Sequence, residues 1–168
     1  LKQTLTEYDG NTTYAAAPSR GLVTRQLMWN NQTGTYVTRR FGYDAWGNRT
    51  SEADELGNVS TAEYDAAYHV HETRRCNALG QCSTKVWETG LDLLQSETDI
   101  NGNVTVYTHD TLGRPLQTVL PDGSTESFAY LDWGNPSLQR VKRTVSDGTA
   151  DGLWTEVYED GLGRNYKT

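Results

Sequence analysis

Three sets of side chains in this sequence could do chemistry, each of a different kind. Carboxylates about one strand apart, such as Asp54 and Asp65, could act as acid and base in glycoside hydrolysis. His69-Val70-His71-Glu72 would put two imidazoles on one face of a strand, a spacing that can bind a transition metal, with Cys76 and Cys82 close by in sequence. Five tryptophans, Trp29, Trp46, Trp87, Trp133 and Trp154, stand among aspartates and asparagines and could offer stacking platforms for sugars. There is no Ser-His-Asp order around a nucleophile elbow, no phosphate loop and no dinucleotide fingerprint.

Position along the chain gives the carboxylates a simpler role. Aspartate or a close substitute returns at Asp44, Asp54, Asp65, Asn77, Glu88, Asp99, Asp110, Asp122 and Asp132, in steps of 10 to 12 residues. Recurrence at a near-constant period marks a repeat architecture. An aromatic precedes every second step, at Tyr43, Tyr64, Trp87, Tyr107 and Tyr130, and Tyr158 opens the last unit. In Asp-x-x-Gly the carboxylate can accept from backbone amides two residues on, while glycine takes the positive-φ position. Asp44 to Gly47, Asp54 to Gly57, Asn77 to Gly80, Asp99 to Gly102, Asp110 to Gly113 and Asp160 to Gly163 fit such turns. Because turn closure already accounts for these aspartates, the reading assigns no catalytic residue, no cofactor and no enzyme activity. It assigns no metal either, with His69 and His71 the only candidates.

Between turns lie six or seven residues, for example 48–53, 58–63 and 103–109. These make strands about 20 Å long at ~3.3 Å per residue. Each turn should reverse a strand, so the fold class expected is all-β, hairpin after hairpin. Two units depart from the rule: Tyr68 stands where glycine is expected after Asp65, and Gly90 follows Glu88 one position early. A tyrosine at positive φ is strained, which predicts a longer loop at Tyr68. No segment of ten residues shows a 3.6 periodicity, so little helix is expected.

Leu, Ile, Val and Phe make up only 30 of 168 residues. That is too few for an ordinary compact core, but ten Tyr and five Trp with regular turns argue against disorder. A thin β layer fits better. In 104–108 the valines take one face and Thr105 and Tyr107 the other, so both faces are partly apolar and tyrosines pack between neighbouring strands.

The net charge is −7, and the basic residues occur as isolated pairs such as Arg39-Arg40, Arg74-Arg75 and Lys142-Arg143. Without a basic stripe, nucleic acid is not an expected partner. No apolar run approaches the ~18 residues of a helical membrane span. Cys76 and Cys82 flank the Asn77 to Gly80 turn and would face each other across a hairpin. A bridge there implies an oxidising compartment; two reduced, small, buried residues is the other reading. Five Asn-x-Ser/Thr acceptors, at Asn11, Asn31, Asn48, Asn58 and Asn103, lie in or beside turns, where asparagine is favoured anyway.

The sequence divides into a looser lead-in (1–42), regular repeats (43–135) and a less regular stretch with a longer loop around 146–152 (136–168), all one continuous repeat domain. In the lead-in, 15–21 reads as a surface loop, with strands over 22–29 and 35–41. The chain starts at Leu1 without methionine and ends inside what reads as a fresh repeat, which predicts a piece of a longer protein.

Tyr43-Asp44-Ala45-Trp46-Gly47-Asn48-Arg49, His109-Asp110-Thr111-Leu112-Gly113-Arg114 and Glu159-Asp160-Gly161-Leu162-Gly163-Arg164 resemble the unit of the YD-repeat, or RHS, family, and 41–135 carries about five such units in register. Tyr8-Asp9-Gly10 followed by Arg20-Gly21-Leu22-Val23-Thr24-Arg25 is similar to the segment leading into the repeats of the B component of tripartite insecticidal toxin complexes. The resemblance implies a continuous β-strip winding into a hollow shell that encloses a toxin or effector polypeptide, in a secreted or cell-surface protein. Its partners would be the rest of its own shell and that polypeptide. The family's self-cleaving aspartate site is not recognisable here, which places this piece inside the repeat array. The alternative function is a cell-surface adhesion or carbohydrate-binding β-repeat module, whose partner would be a cell-surface glycan.

Overall fold

A computed structural model describes residues 3–13 and 17–168. Ala15 and Ala16 of the expected 15–21 loop, and Leu1, lie outside the described residues. Among the described residues the chain is all β, with fourteen strands: β1 (Thr4–Tyr8), β2 (Val23–Asn30), β3 (Thr35–Tyr43), β4 (Arg49–Ala53), β5 (Val59–Tyr64), β6 (Glu72–Cys76), β7 (Cys82–Glu88), β8 (Leu93–Thr98), β9 (Val104–His109), β10 (Pro115–Val119), β11 (Thr125–Leu131), β12 (Arg140–Val145), β13 (Leu153–Glu159) and β14 (Asn165–Lys167). They form one antiparallel sheet whose strand order is the order of the sequence. The chain clusters into two compact units, Leu1–Thr84 and Lys85–Thr168.

In the first unit the longest ladder joins β2 to β3, from Arg25↔Arg40 to Asn30↔Thr35. The β3/β4 and β5/β6 pairs each shift register at the tyrosine that ends the odd strand, Tyr43 and Tyr64. In the second unit β11/β12 and β12/β13 each pair over six residues.

Strands β4, β5 and β9 begin one residue after the expected starts at Asn48, Asn58 and Asn103. The cause is local. Each asparagine turns its amide to the turn carboxylate instead of the ladder, at 2.9 Å, 2.8 Å and 2.9 Å.

Few side chains are fully covered. Ala62 is the one buried apolar side chain among the described residues, beside buried Glu7, His71 and Gln139. Stability must therefore come from ladder hydrogen bonds, half-buried cross-strand pairs and local charge pairs. Arg25 holds Glu7 at 2.6 Å, and Glu7 is only 6% exposed. Trp29 meets Tyr36 edge-on across β2 and β3, with centroids 5.1 Å apart. On β9 the valine face is the open one, Val104 and Val106 being 45% and 40% exposed, while Tyr107 sits on the more covered face. Tyrosine hides there because its phenol can keep a partner: it donates to Glu97 at 2.7 Å.

Candidate functional site

The recurring site of this molecule is its turn. At Asp54 the carboxylate Oδ1 accepts from Leu56 N and Asn58 N at 2.9 Å and 2.8 Å. Its Oδ2 accepts from Asn58 Nδ2 at 2.7 Å, and Gly57 stands at φ 86°. A Cβ on Gly57 would meet nothing, so the glycine is there for its backbone angle and not for space. Asp44 with Asn48 and Asp99 with Asn103 repeat this pattern. At Asp110 and Asp160 an arginine replaces the asparagine four residues on, Arg114 Nε at 2.6 Å and Arg164 Nε at 2.8 Å. Gly47, Gly102, Gly113 and Gly163 also take positive φ. Asn77 closes an uncharged copy, accepting from Leu79 and Gln81 N at 3.0 Å each.

These bonds favour the ionised carboxylate. The Asn58 side-chain amide, then backbone amides, hold Asp54 below the usual carboxylate range, and Asn103 does the same for Asp99. Arg164 brings Asp160 down to about 2. Asp9 also falls to about 2, through the backbone amides of Arg20, Gly21 and Leu22, opposed by partial burial. Asp54 and Asp65 are thus each committed to their own loop amides, a poor arrangement for a proton-shuttling pair.

At Asp65 the loop is longer by two residues: Asp65 N donates to His71 O, where the regular turn closes on the fourth residue. The carboxylate gathers four amides, Tyr68 to His71, which push it well below its usual range, His71 first. Positive φ falls on His69, at 59°, and Tyr68 stays out of it. The expected strand through 69–72 does not form, because those amides serve Asp65; β6 begins only at Glu72. His69 instead stacks on Trp46, centroids 3.4 Å apart, and His71 is buried. Among the described residues no group of three potential metal ligands comes together.

The repeat aromatics act as clasps. Tyr43 donates to Val23 O (2.9 Å), Tyr64 to Arg49 O (3.4 Å) and Tyr130 to Pro115 O (3.0 Å), each joining the end of one strand to the start of the strand before it. Tyr107, pushed up to about 12 by burial and then by its bond to Glu97, and Tyr158, bonded to Glu156 at 3.4 Å, pair with acids instead. Trp87 is half-buried on β7. Cys76 and Cys82 pair directly in the β6/β7 ladder and form a disulfide, Cα atoms 4.0 Å apart, with Arg74 Nη2 3.3 Å from Cys82 Sγ.

Contacts between successive turns carry no signal in the sequence, since the partners are some twenty residues apart. Arg20 reaches Ala45 O at 2.9 Å. Buried Gln139 takes Gly134 N on its oxygen and gives its amide to Asp160 O. Arg114, besides Asp110, lies 4.1 Å from the Tyr130 ring and 5.3 Å from that of Trp133. Two clefts open between turns of the second unit. One, of about 310 Å³, is lined by Glu88, Leu91, Leu93, Tyr107, His109 and Asp110; the other, of about 330 Å³, by Trp133, Pro136, Gln139, Glu159, Asp160 and Gly161, among others. Trp46, Trp133 and Trp154 are more than half exposed. The Asn48, Asn58 and Asn103 side-chain amides are engaged by aspartate, so modification there would cost a turn bond.

Residues 89–125 match the family model of the RHS repeat. No curated protein matches the chain. Two solved structures share its fold over 98% of its length: TcdB2-TccC3, at TM-score 0.59 and 16% identity, and TcdB2-TccC3-TEV, at 0.64 and 12%. The chain spans only 12% and 14% of the length of those structures' matched chains.

Proposed function

We propose, for a chain that carries an RHS repeat at residues 89–125, that it is a stretch of shell wall enclosing a toxin or effector polypeptide in a secreted toxin-like protein. The observation carrying this reading is the near-absence, among the described residues, of buried apolar side chains in a sheet whose strands follow chain order. A wall built this way extends by adding hairpins and presents mixed faces to whatever lies on either side. The fold shared with TcdB2-TccC3 supports the same role. The chain contributes no catalytic group in this reading, since its aspartates are bound to their own turns. Its partners are further wall hairpins and the enclosed polypeptide.

The test is the intact parent protein, by imaging and intact-mass analysis. A hollow particle that retains a separate polypeptide is the expected result. An extended rod without retained polypeptide overturns the reading.

A second reading, a surface module that binds glycans, is favoured by one observation: the exposure of Trp46, Trp133 and Trp154. It requires glycan-array binding that Trp133→Ala or Trp46→Ala abolishes; an array with no signal removes it.

A further inference from the structure

Beyond the wall role, and independent of it, we infer that the cleft beside Trp133 receives an arginine side chain from a basic polypeptide segment. The molecule shows the chemistry itself one step earlier. Between the β9/β10 turn and the β11/β12 turn, the guanidinium of Arg114 is held by Asp110, with Nε and Nη2 each 2.6 Å from Oδ2. The same guanidinium lies over Tyr130 at 4.1 Å and near Trp133 at 5.3 Å. A turn carboxylate and aromatic rings are what a planar cation recognises.

Between the β11/β12 and β13/β14 turns the same arrangement recurs, with Arg140 held by Asp132 and lying 5.6 Å from the Tyr158 ring; beside it the 330 Å³ cleft stays open, and Trp133 lines it. Glu159 also lines it, half-buried, its carboxylate without a hydrogen bond or ion pair among the described residues, while Asp160 beside it is held by Arg164. Its negative charge is felt at Tyr130, whose phenol is raised mainly by burial, with Asp110 and Glu159 adding to the shift and Arg114 opposing it. Pro136, packed 3.4 Å from where a Cβ on Gly161 would lie, brings the two turns together at the cleft.

The 310 Å³ cleft does not offer the same chemistry. Glu88 there is taken by the amides of Gly90 and Leu91, and Asp110 by Arg114. Glu159 is therefore the distinguishing group, an open carboxylate beside an aromatic wall on a chain of net charge −7. A guanidinium entering the cleft would pair with Glu159 and lie against the Trp133 indole. Because the cleft is open to solvent on a chain of net charge −7, the guanidinium is most readily delivered by an arginine-bearing segment of a basic partner.

The experiment is an NMR titration of the intact protein carrying 15N-labelled tryptophan, with N-acetyl-arginine methylamide as probe and its neutral isostere N-acetyl-citrulline methylamide as control. A saturable shift of the Trp133 indole N–H with the arginine probe and none with citrulline is expected. In Glu159→Gln the midpoint should rise roughly tenfold, the loss of one charge-assisted contact. The variant removes no existing bond, and unchanged Trp87 and Trp154 signals, from the same unit, report its fold. No saturable shift, an equal response to citrulline, or wild-type affinity in Glu159→Gln overturns the assignment. So does saturation by methyl glucoside in place of the arginine probe, which would make the cleft a sugar site. The citrulline comparison decides without any variant.

Discussion

A carboxylate that collects two amides and a side-chain donor is bound more tightly when ionised, and this makes the turns acid-sensitive. The sign follows from the direction of the shift. Asp160 and Asp9 lie at about 2 in the fold against an ordinary 3.8. Their stabilisation is complete above the ordinary value and is lost as pH falls from there through about 2. Asp54 and Asp99 are lowered as well and lose theirs on the same side. The Asn77 turn has the same geometry and no proton to take up. The Asn58 backbone amide signal should therefore titrate with a midpoint below 3.8, while that of Gln81 stays flat; equal titration of both would show that the carboxylate bonds do not set the acid response. At this scale the site was legible, because donor, acceptor and positive-φ glycine all lie within five residues. The residue completing each turn, Asn48, Asn58, Asn103, Arg114 or Arg164, carries its own signal as the residue following the glycine. Buried Gln139 and the open Glu159 carry none, since what surrounds them comes from other hairpins.

A hairpin closed by a turn at one end needs something at the other, and here the strand-end tyrosines supply it. Tyr43→Phe keeps the ring and removes only the bond to Val23 O, so it should cost about 1 kcal/mol in the unfolding of its own hairpin, read from the urea dependence of the Trp29 signal on β2. A loss near zero would mean that the ring's packing, and not the clasp, is what the repeat aromatic provides. The β6/β7 hairpin carries a covalent restraint as well. Replacing both Cys76 and Cys82 by serine opens a loop of sequence separation 6, worth about 2 kcal/mol by loop-closure entropy, and should lower the unfolding midpoint accordingly. Strand existence was legible from turn spacing, and strand starts missed by one residue where an asparagine serves the turn. The His69 to His71 stretch reads as strand because its alternation is strand-like. Whether backbone amides go to a ladder or to an upstream carboxylate depends on loop length; Tyr68 in place of glycine announces a longer loop, but no residue type in 65–71 says that it runs on through His71. The face of β9 that would be covered was equally hidden, because valine and tyrosine both suit a pleated surface.

With strand order equal to chain order, each strand pairs only with its neighbours in sequence, and stability approaches a sum of local terms. The two compact units, Leu1–Thr84 and Lys85–Thr168, each hold their own set of hairpins. Little is fully buried to tie distant hairpins into one transition, Ala62 being the single apolar side chain below the surface among the described residues. All-or-none unfolding, the usual behaviour of a small domain with one core, is therefore not expected. Tryptophans are placed to read this directly: Trp29 and Trp46 report on the first unit, Trp133 and Trp154 on the second. With 5-fluorotryptophan incorporated, the folded-state fluorine signals should disappear over urea ranges that differ between the two pairs. The Trp46 signal should follow the Asp65 loop, to which it is tied through His69. If all the signals vanished with one shared midpoint, the hairpins would be coupled more strongly than neighbour-to-neighbour pairing allows, and a wall that grows by independent addition of units would lose its physical basis.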